Sequence, residues 1–201
     1  MSDSDTTVPS QRRLQRPPDF TGGQLDTFRA VVLRHGVPGA LLGAICFVLP
    51  LALVNFRTGL APAVEAPGRY LAACLVIFAL LVIYASVIDR RFQPMQVVWI
   101  IYLGLVSLWE EWVFRIALPY SFSGDAFVVA VVISNVLFGA VHYFTLRWRW
   151  FWCVGAALGG LALSRQYIQH GDFLMLVGLH WVATYINTPR YPGLKRALLW
   201  K

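Results

Sequence analysis

Six stretches of the chain are almost continuously apolar, running approximately from Val37 to Phe56, Tyr70 to Ile88, Met95 to Leu118, Ala126 to Leu146, Trp150 to Ser164 and Phe173 to Ile186. A helix needs about 20 apolar residues to cross the hydrocarbon core of a bilayer, or somewhat fewer when flanking residues snorkel. The pattern therefore predicts an all-α, polytopic membrane helix bundle of about six transmembrane helices, the last two stretches being the shortest. No internal repeat and no second domain is visible. The polar start (SDSDTTVPSQRRLQRPP) has no early apolar stretch of the signal-peptide kind, so residues 1–36 are expected to form a retained, mostly disordered cytoplasmic arm. A transmembrane domain over 37–188 and a basic cytoplasmic tail over 189–201 complete the expected organisation.

Composition agrees with the pattern: 58% of the 201 residues are hydrophobic and 13% charged, and the mean hydropathy is +0.60. Such values exclude an ordinary soluble domain. A net charge of +7 would suggest nucleic acid in a soluble protein; in a membrane protein it marks cytoplasmic loops. Thirteen basic residues fall on one side: Arg12, Arg13, Arg16, Arg29 and Arg34 in the arm, Arg90 and Arg91, Arg147 and Arg149, then Arg190, Lys195, Arg196 and Lys201. Only Arg57, Arg69 and Arg165 fall on the other, and Arg115 lies within a span. Both termini are thus expected in the cytoplasm of a multi-pass cell-membrane protein. Trp148, Trp150 and Trp152 flank a span start, which fits interfacial anchoring rather than nucleotide stacking, so no nucleic-acid partner is expected. Cys46, Cys74 and Cys153 lie in separate apolar runs and read as small buried hydrophobes.

The informative residues are polar ones inside spans. Glu110 and Glu111 are adjacent in one of them, and ionisable groups there are costly enough to suggest function. Glu111 and Arg115 are four residues apart and so share a helical face on which they can neutralise each other. Glu110 is turned about 100° away, leaving it the freer carboxylate to act as a general base. Asn135, Phe138 and His142 share a face of the fourth stretch, as do His180, Thr184 and Asn187 in the last. Together these groups can take, give and position protons. His35 and His170 sit at span boundaries or in loops and receive no role.

The order EExxxR, FxxxH about thirty residues later, then a further histidine resembles the CPBP (CAAX protease and bacteriocin-processing, or ABI) family of glutamic-type intramembrane proteases. Glu110, Glu111 and Arg115 match the first motif, and Phe138 and His142 the second. His180 opens the third, with Thr184 where that family has asparagine or aspartate. The resemblance runs from about Met95 to Asn187. It implies an endopeptidase in which Glu110 and His142 hold and deprotonate water, His180 stabilises the oxyanion, and Glu111 and Arg115 support the site. Thr184 or Asn187 would supply a further hydrogen bond. The implied partners are a membrane-associated peptide or protein substrate and the lipid bilayer. No HExxH signature is present and no cofactor is expected, with a Glu/His/His metal site as the alternative mechanism.

Depth counts against this reading. With the turn centred near Phe122, Glu110 lies 12 residues before it and His142 lies 20 after it. The difference is about 12 Å along straight α-helices; a tilt, an interfacial turn or a bend at Gly139 would have to absorb it. Two other functions compete, a non-catalytic immunity or assembly factor on the same fold and a proton-coupled carrier. The incomplete third motif favours the former, and the lack of a repeat or of a glycine-broken helix pair disfavours the latter.

Overall fold

The computed structural model describes residues 14–17, 25–89 and 93–192. Seven helices carry most of them: α1 (Phe28–Cys46), α2 (Pro50–Glu65), α3 (Pro67–Asp89), α4 (Pro94–Ser121), α5 (Asp125–Thr145), α6 (Trp150–His170) and α7 (Phe173–Asn187). Proline opens α2, α3 and α4, where its missing N–H would have no partner in any case. The Asp172 carboxylate caps α7 through Met175 N at 2.9 Å. Gly171, at φ +62°, ends α6 in the left-handed conformation that glycine adopts without strain.

The fold is an all-α membrane bundle. α1, α4, α5 and residues Pro67–Val87 of α3 are long and apolar enough to cross a bilayer. α7 is apolar but shorter. α6 spans 21 residues, well past the expected end at Ser164, and is less apolar.

The first expected span, Val37 to Phe56, is not one helix. Leu49 is extended at φ −87° and ψ 108°, because the ring of Pro50 disfavours helical geometry in the residue before it. α1 instead begins at Phe28. The described parts of the amino-terminal arm, 14–17 and 25–36, are built into the bundle. Leu14 and Gln15 are buried, and Gln15 bridges Trp148 in antiparallel fashion, with Arg16 N donating to Arg147 O and Arg149 N to Leu14 O, both at 2.8 Å. The rest of the arm and residues 193–201 lie outside the described residues.

α4 is the central helix, with 61% of its span window buried against 11% for α3. α3 turns Leu71, Leu75, Leu80, Ile83 and Val87 outward, a surface that suits lipid. Indole donors fix the neighbours of α4. Trp181 Nε1 donates to Ile100 O and Trp99 Nε1 to Thr188 O, both at 2.8 Å, and Trp112 Nε1 reaches Gly43 O at 2.9 Å. Each indole N–H satisfied on a neighbouring backbone spares an unpaired donor in hydrocarbon.

Two glycines set the spacing of the α5–α6 hairpin. A Cβ on Gly139 would lie 2.5 Å from Cys153 O, so this glycine serves close backbone approach. A Cβ on Gly160 would lie 2.3 Å from Asn135 Oδ1 and 2.9 Å from Arg115 Nη2. Gly160→Ala is accordingly expected to push both buried polar groups out of place and cost about 1–3 kcal/mol. Thermal unfolding in detergent measures it, and an unchanged midpoint would contradict the packing.

Tyr191 OH donates to Gln93 Oε1 at 3.1 Å, and Gln96 Nε2 reaches Pro189 O. With the Gln15–Trp148 bridge, these contacts gather the arm, the segment before α4, the α5–α6 connection and the start of the tail at one end. Those are the segments richest in basic residues. Reporter fusions after Arg149 are expected to read cytoplasm and fusions after Ser123 the opposite side, and a cytoplasmic signal at Ser123 would reverse the orientation.

Candidate active site

The site is built around an irregularity of α4. Its α-helical part ends at Glu111, and Trp112–Ala117 is π-wound. Leu118 N bonds Val113 O at 3.0 Å, one residue further back than in an α-helix, which releases Phe114 O to accept from Ser134 Oγ of α5 at 2.6 Å. A wide turn of this kind inside a helix is a recurrent feature of functional sites. Here it follows directly on the two glutamates.

Glu110 and Glu111 face different partners. Glu111 Oε2 lies 3.3 Å from Arg115 Nε, and neither side chain has any exposure. Its Oε1 is 2.6 Å from His180 Nδ1. Glu110 is 3% exposed and is surrounded by imidazoles: His142 Nε2 at 3.8 Å from Oε1, His180 Nε2 at 3.6 Å from Oε2, and His35 Nε2 at 3.0 Å from Oε1. Phe138 is the packing centre of the group. The Arg115 guanidinium carbon lies 4.3 Å from its ring centroid, a buried cation–π contact, and its ring meets His142 and His180 edge-on at 4.6 and 5.7 Å.

Hydrogen bonding assigns the tautomers. His142 Nδ1 is 2.8 Å from Phe138 O, a carbonyl that can only accept, so Nδ1 carries the proton. His35 Nδ1 is 2.8 Å from Thr145 Oγ1, and its Nε2–H, 3.0 Å from Glu110 Oε1, donates to that carboxylate. His180 Nδ1 donates to the Glu111 carboxylate. The Nε2 atoms of all three rings face the Glu110 carboxylate.

The structure thus brings Glu110, Glu111, Arg115, Phe138, His142 and His180 together. Part of the expected depth shortfall is absorbed after the π turn, where the 3₁₀ turn Pro119–Ser121 and the extended Phe122 advance about 2.0 and 3.3 Å per residue, against about 1.5 Å in an α-helix. Thr184 lines the cavity that holds Glu110, His35, His142 and Thr188. Asn187 does not join the site, because its side chain is exposed and donates back to Ala183 O at 3.0 Å. Among the tryptophans, Trp148 lies with its ring tilted 49° to that of His142, centroids 4.6 Å apart, and lines the same cavity, while Trp150 is 70% exposed.

The residue missed by the sequence reading is His35. It sits in the π-wound turn Val32–Gly36 of α1 and is 5% exposed. With the first span placed from Val37 it looked like a boundary residue next to Arg34. The signal for it was present, since starting the helix at Phe28 makes it a histidine inside a span. His170, by contrast, is exposed at the end of α6. His35, Glu110 and His142 offer donor atoms that all lie within 4.8 Å of one another, close enough to hold a metal ion.

No curated protein and no solved structure matches this chain significantly. Residues 92–186, which carry every one of these groups except His35, the exposed Asn187 and Thr188, match the family model described as type II CAAX prenyl endopeptidase Rce1-like.

Proposed function

We propose that the protein is an intramembrane endopeptidase of the CAAX-processing type that hydrolyses a peptide bond of a membrane-associated substrate with water activated by Glu110 and His142. The observation that carries the reading is a buried carboxylate whose two oxygens face separate imidazoles, His142 at 3.8 Å and His180 at 3.6 Å. A water between Glu110 and His142 is held by both and gives its proton to Glu110 as its oxygen bonds the carbonyl carbon. The carbonyl π pair moves to oxygen, and a protonated His180 donates from Nε2 to the resulting oxyanion. Glu111 bonded to His180 Nδ1 favours that imidazolium, as a carboxylate does behind a catalytic histidine. Collapse of the intermediate breaks the C–N bond, and Glu110 returns its proton to the leaving amine. Arg115 neutralises Glu111 and keeps it from turning toward Glu110.

Thr184 stands where the family pattern has asparagine or aspartate, which favours a binding scaffold as the second reading. One experiment separates the two. Membranes containing wild-type or His142→Ala protein in equal amounts are compared by mass spectrometry of peptide termini, with prenylated CAAX peptides as a first defined substrate. The hydrolytic reading expects new carboxyl termini in the wild type alone. Identical termini in both samples, with a biological phenotype retained by the variant, would favour the scaffold.

A further inference from the structure

We propose that the backbone edge Arg147–Arg149 is a pairing site for an extended peptide segment of the substrate, and that the amino-terminal arm occupies this edge as an intramolecular competitor. The proposal rests on the hydrolytic reading and adds to it how the substrate is held and what excludes it.

Three observations carry it. The first is the pairing itself. In an all-α bundle, Gln15 and Trp148 form the one β-bridge among the described residues. Arg16 N donates to Arg147 O and Arg149 N to Leu14 O, both at 2.8 Å, and Arg149 Nε reaches Gln15 O at 3.3 Å. The two backbone bonds follow the pattern of an antiparallel ladder. All three contacts use only the backbone of the arm, so another extended peptide can make them, as in recognition by strand addition.

The second is how the edge is built. Arg147, at φ 59°, is the only non-glycine residue at positive φ among the described residues. That conformation costs free energy in a residue with a side chain and is concentrated where function requires it. Here it follows the end of α5, where Trp148 N bonds His142 O at 3.3 Å, and it leaves Arg147 O and Arg149 N to the arm. The edge is thereby tied to the backbone of the histidine that holds the water.

The third is place. Gln15 and Trp148 line the same cavity as Glu110 and His142. Its volume is about 40 Å³, enough for water but not for a peptide residue. A peptide that replaces the arm on this edge enters the space in front of Glu110. The other cavity on Glu110, about 130 Å³, lies among α1, α4 and α5, and helices that bond their own backbone offer a peptide no edge there. The arm also indicates what the edge accepts. The Arg16 guanidinium carbon lies 4.2 Å from the ring centroid of Tyr143, so a peptide in the same register is favoured when it carries a basic residue at that place.

The test uses the full chain in detergent and a fluorescent peptide with the sequence of residues 11–18 as the probe. Arg16→Pro removes an N–H and a cation–π contact from the arm and leaves the edge intact, so it should bind the probe at least tenfold more tightly than the wild type, whose tethered arm competes. Arg149→Pro removes the N–H of the edge at φ −65°, the angle that proline itself adopts. Added to Arg16→Pro, it should weaken binding at least tenfold, whereas Arg149→Ala, which keeps the N–H, should retain most of it. Unfolding midpoints are compared throughout. On Arg16→Pro protein, a probe with photo-methionine in place of its glutamine should attach to Trp148 or to its neighbours in the cavity. Equal probe binding by the wild type and Arg16→Pro, or attachment confined to other surfaces, would overturn the proposal. With prenylated CAAX peptides, Arg16→Pro should lower KM and leave kcat unchanged. Probe binding in this pattern without any cleavage counts against the hydrolytic reading alone. Cleavage with one KM in the wild type, Arg16→Pro and Arg16→Pro/Arg149→Pro refutes the pairing edge alone.

Discussion

Glu110→Gln is expected to eliminate cleavage while the protein accumulates normally in the membrane. The amide keeps the shape of the carboxylate and can still accept a hydrogen bond, but it cannot take a proton from water, and loss of a positioned base costs about 10²–10⁴-fold in rate. Stability should change little, because Glu110 is not the partner of Arg115; that carboxylate is Glu111, 3.3 Å away. His180→Ala is expected to follow with a loss of about 10²–10³-fold, the usual consequence of removing an oxyanion donor. The measurement is single-turnover cleavage in membranes holding equal amounts of each variant. Wild-type rates from Glu110→Gln would remove the proposed mechanism.

Glu111→Gln should behave differently, with destabilisation as its leading effect. Its carboxylate has no exposure, faces Arg115 through Oε2 and accepts from His180 Nδ1 through Oε1. Neutralising it leaves a guanidinium buried on the ring of Phe138 without its counter-charge. Breaking a buried pair from one side costs about 3–5 kcal/mol. The double variant Glu111→Gln/Arg115→Met removes both charges and should recover much of that loss without recovering activity, since His180 would still lack its carboxylate. Unfolding in detergent measures all four corners of the cycle. Equal stability of Glu111→Gln and the wild type would show that the pair does not hold the helix, and the same midpoint for single and double variants would place the cost elsewhere.

The sequence by itself determined the class of the molecule and most of the chemistry. Apolar runs of span length require helices, because a backbone in hydrocarbon must satisfy its own hydrogen bonds. Carboxylates and histidines inside those runs cost too much to be incidental. Spacing on one helix sufficed to pair Glu111 with Arg115 and to leave Glu110 free, since four residues is a contact distance fixed by helical geometry. What spacing could not supply was anything decided between helices. The break before Pro50, the start of α1 at Phe28 and the ordering of Gln15 against Trp148 depend on packing partners far away in the chain. His35 therefore looked peripheral although it lies 3.0 Å from Glu110. Likewise Thr184 and Asn187, three residues apart and on one nominal face, part company only because the bundle covers one and leaves the other exposed. Part of the depth mismatch was absorbed by local departures from the α-helix, the 3₁₀ turn Pro119–Ser121 and the extended Phe122. The π turn before them holds because Ser134 on α5 satisfies the freed Phe114 carbonyl, a contact across 20 residues that only the tertiary structure provides.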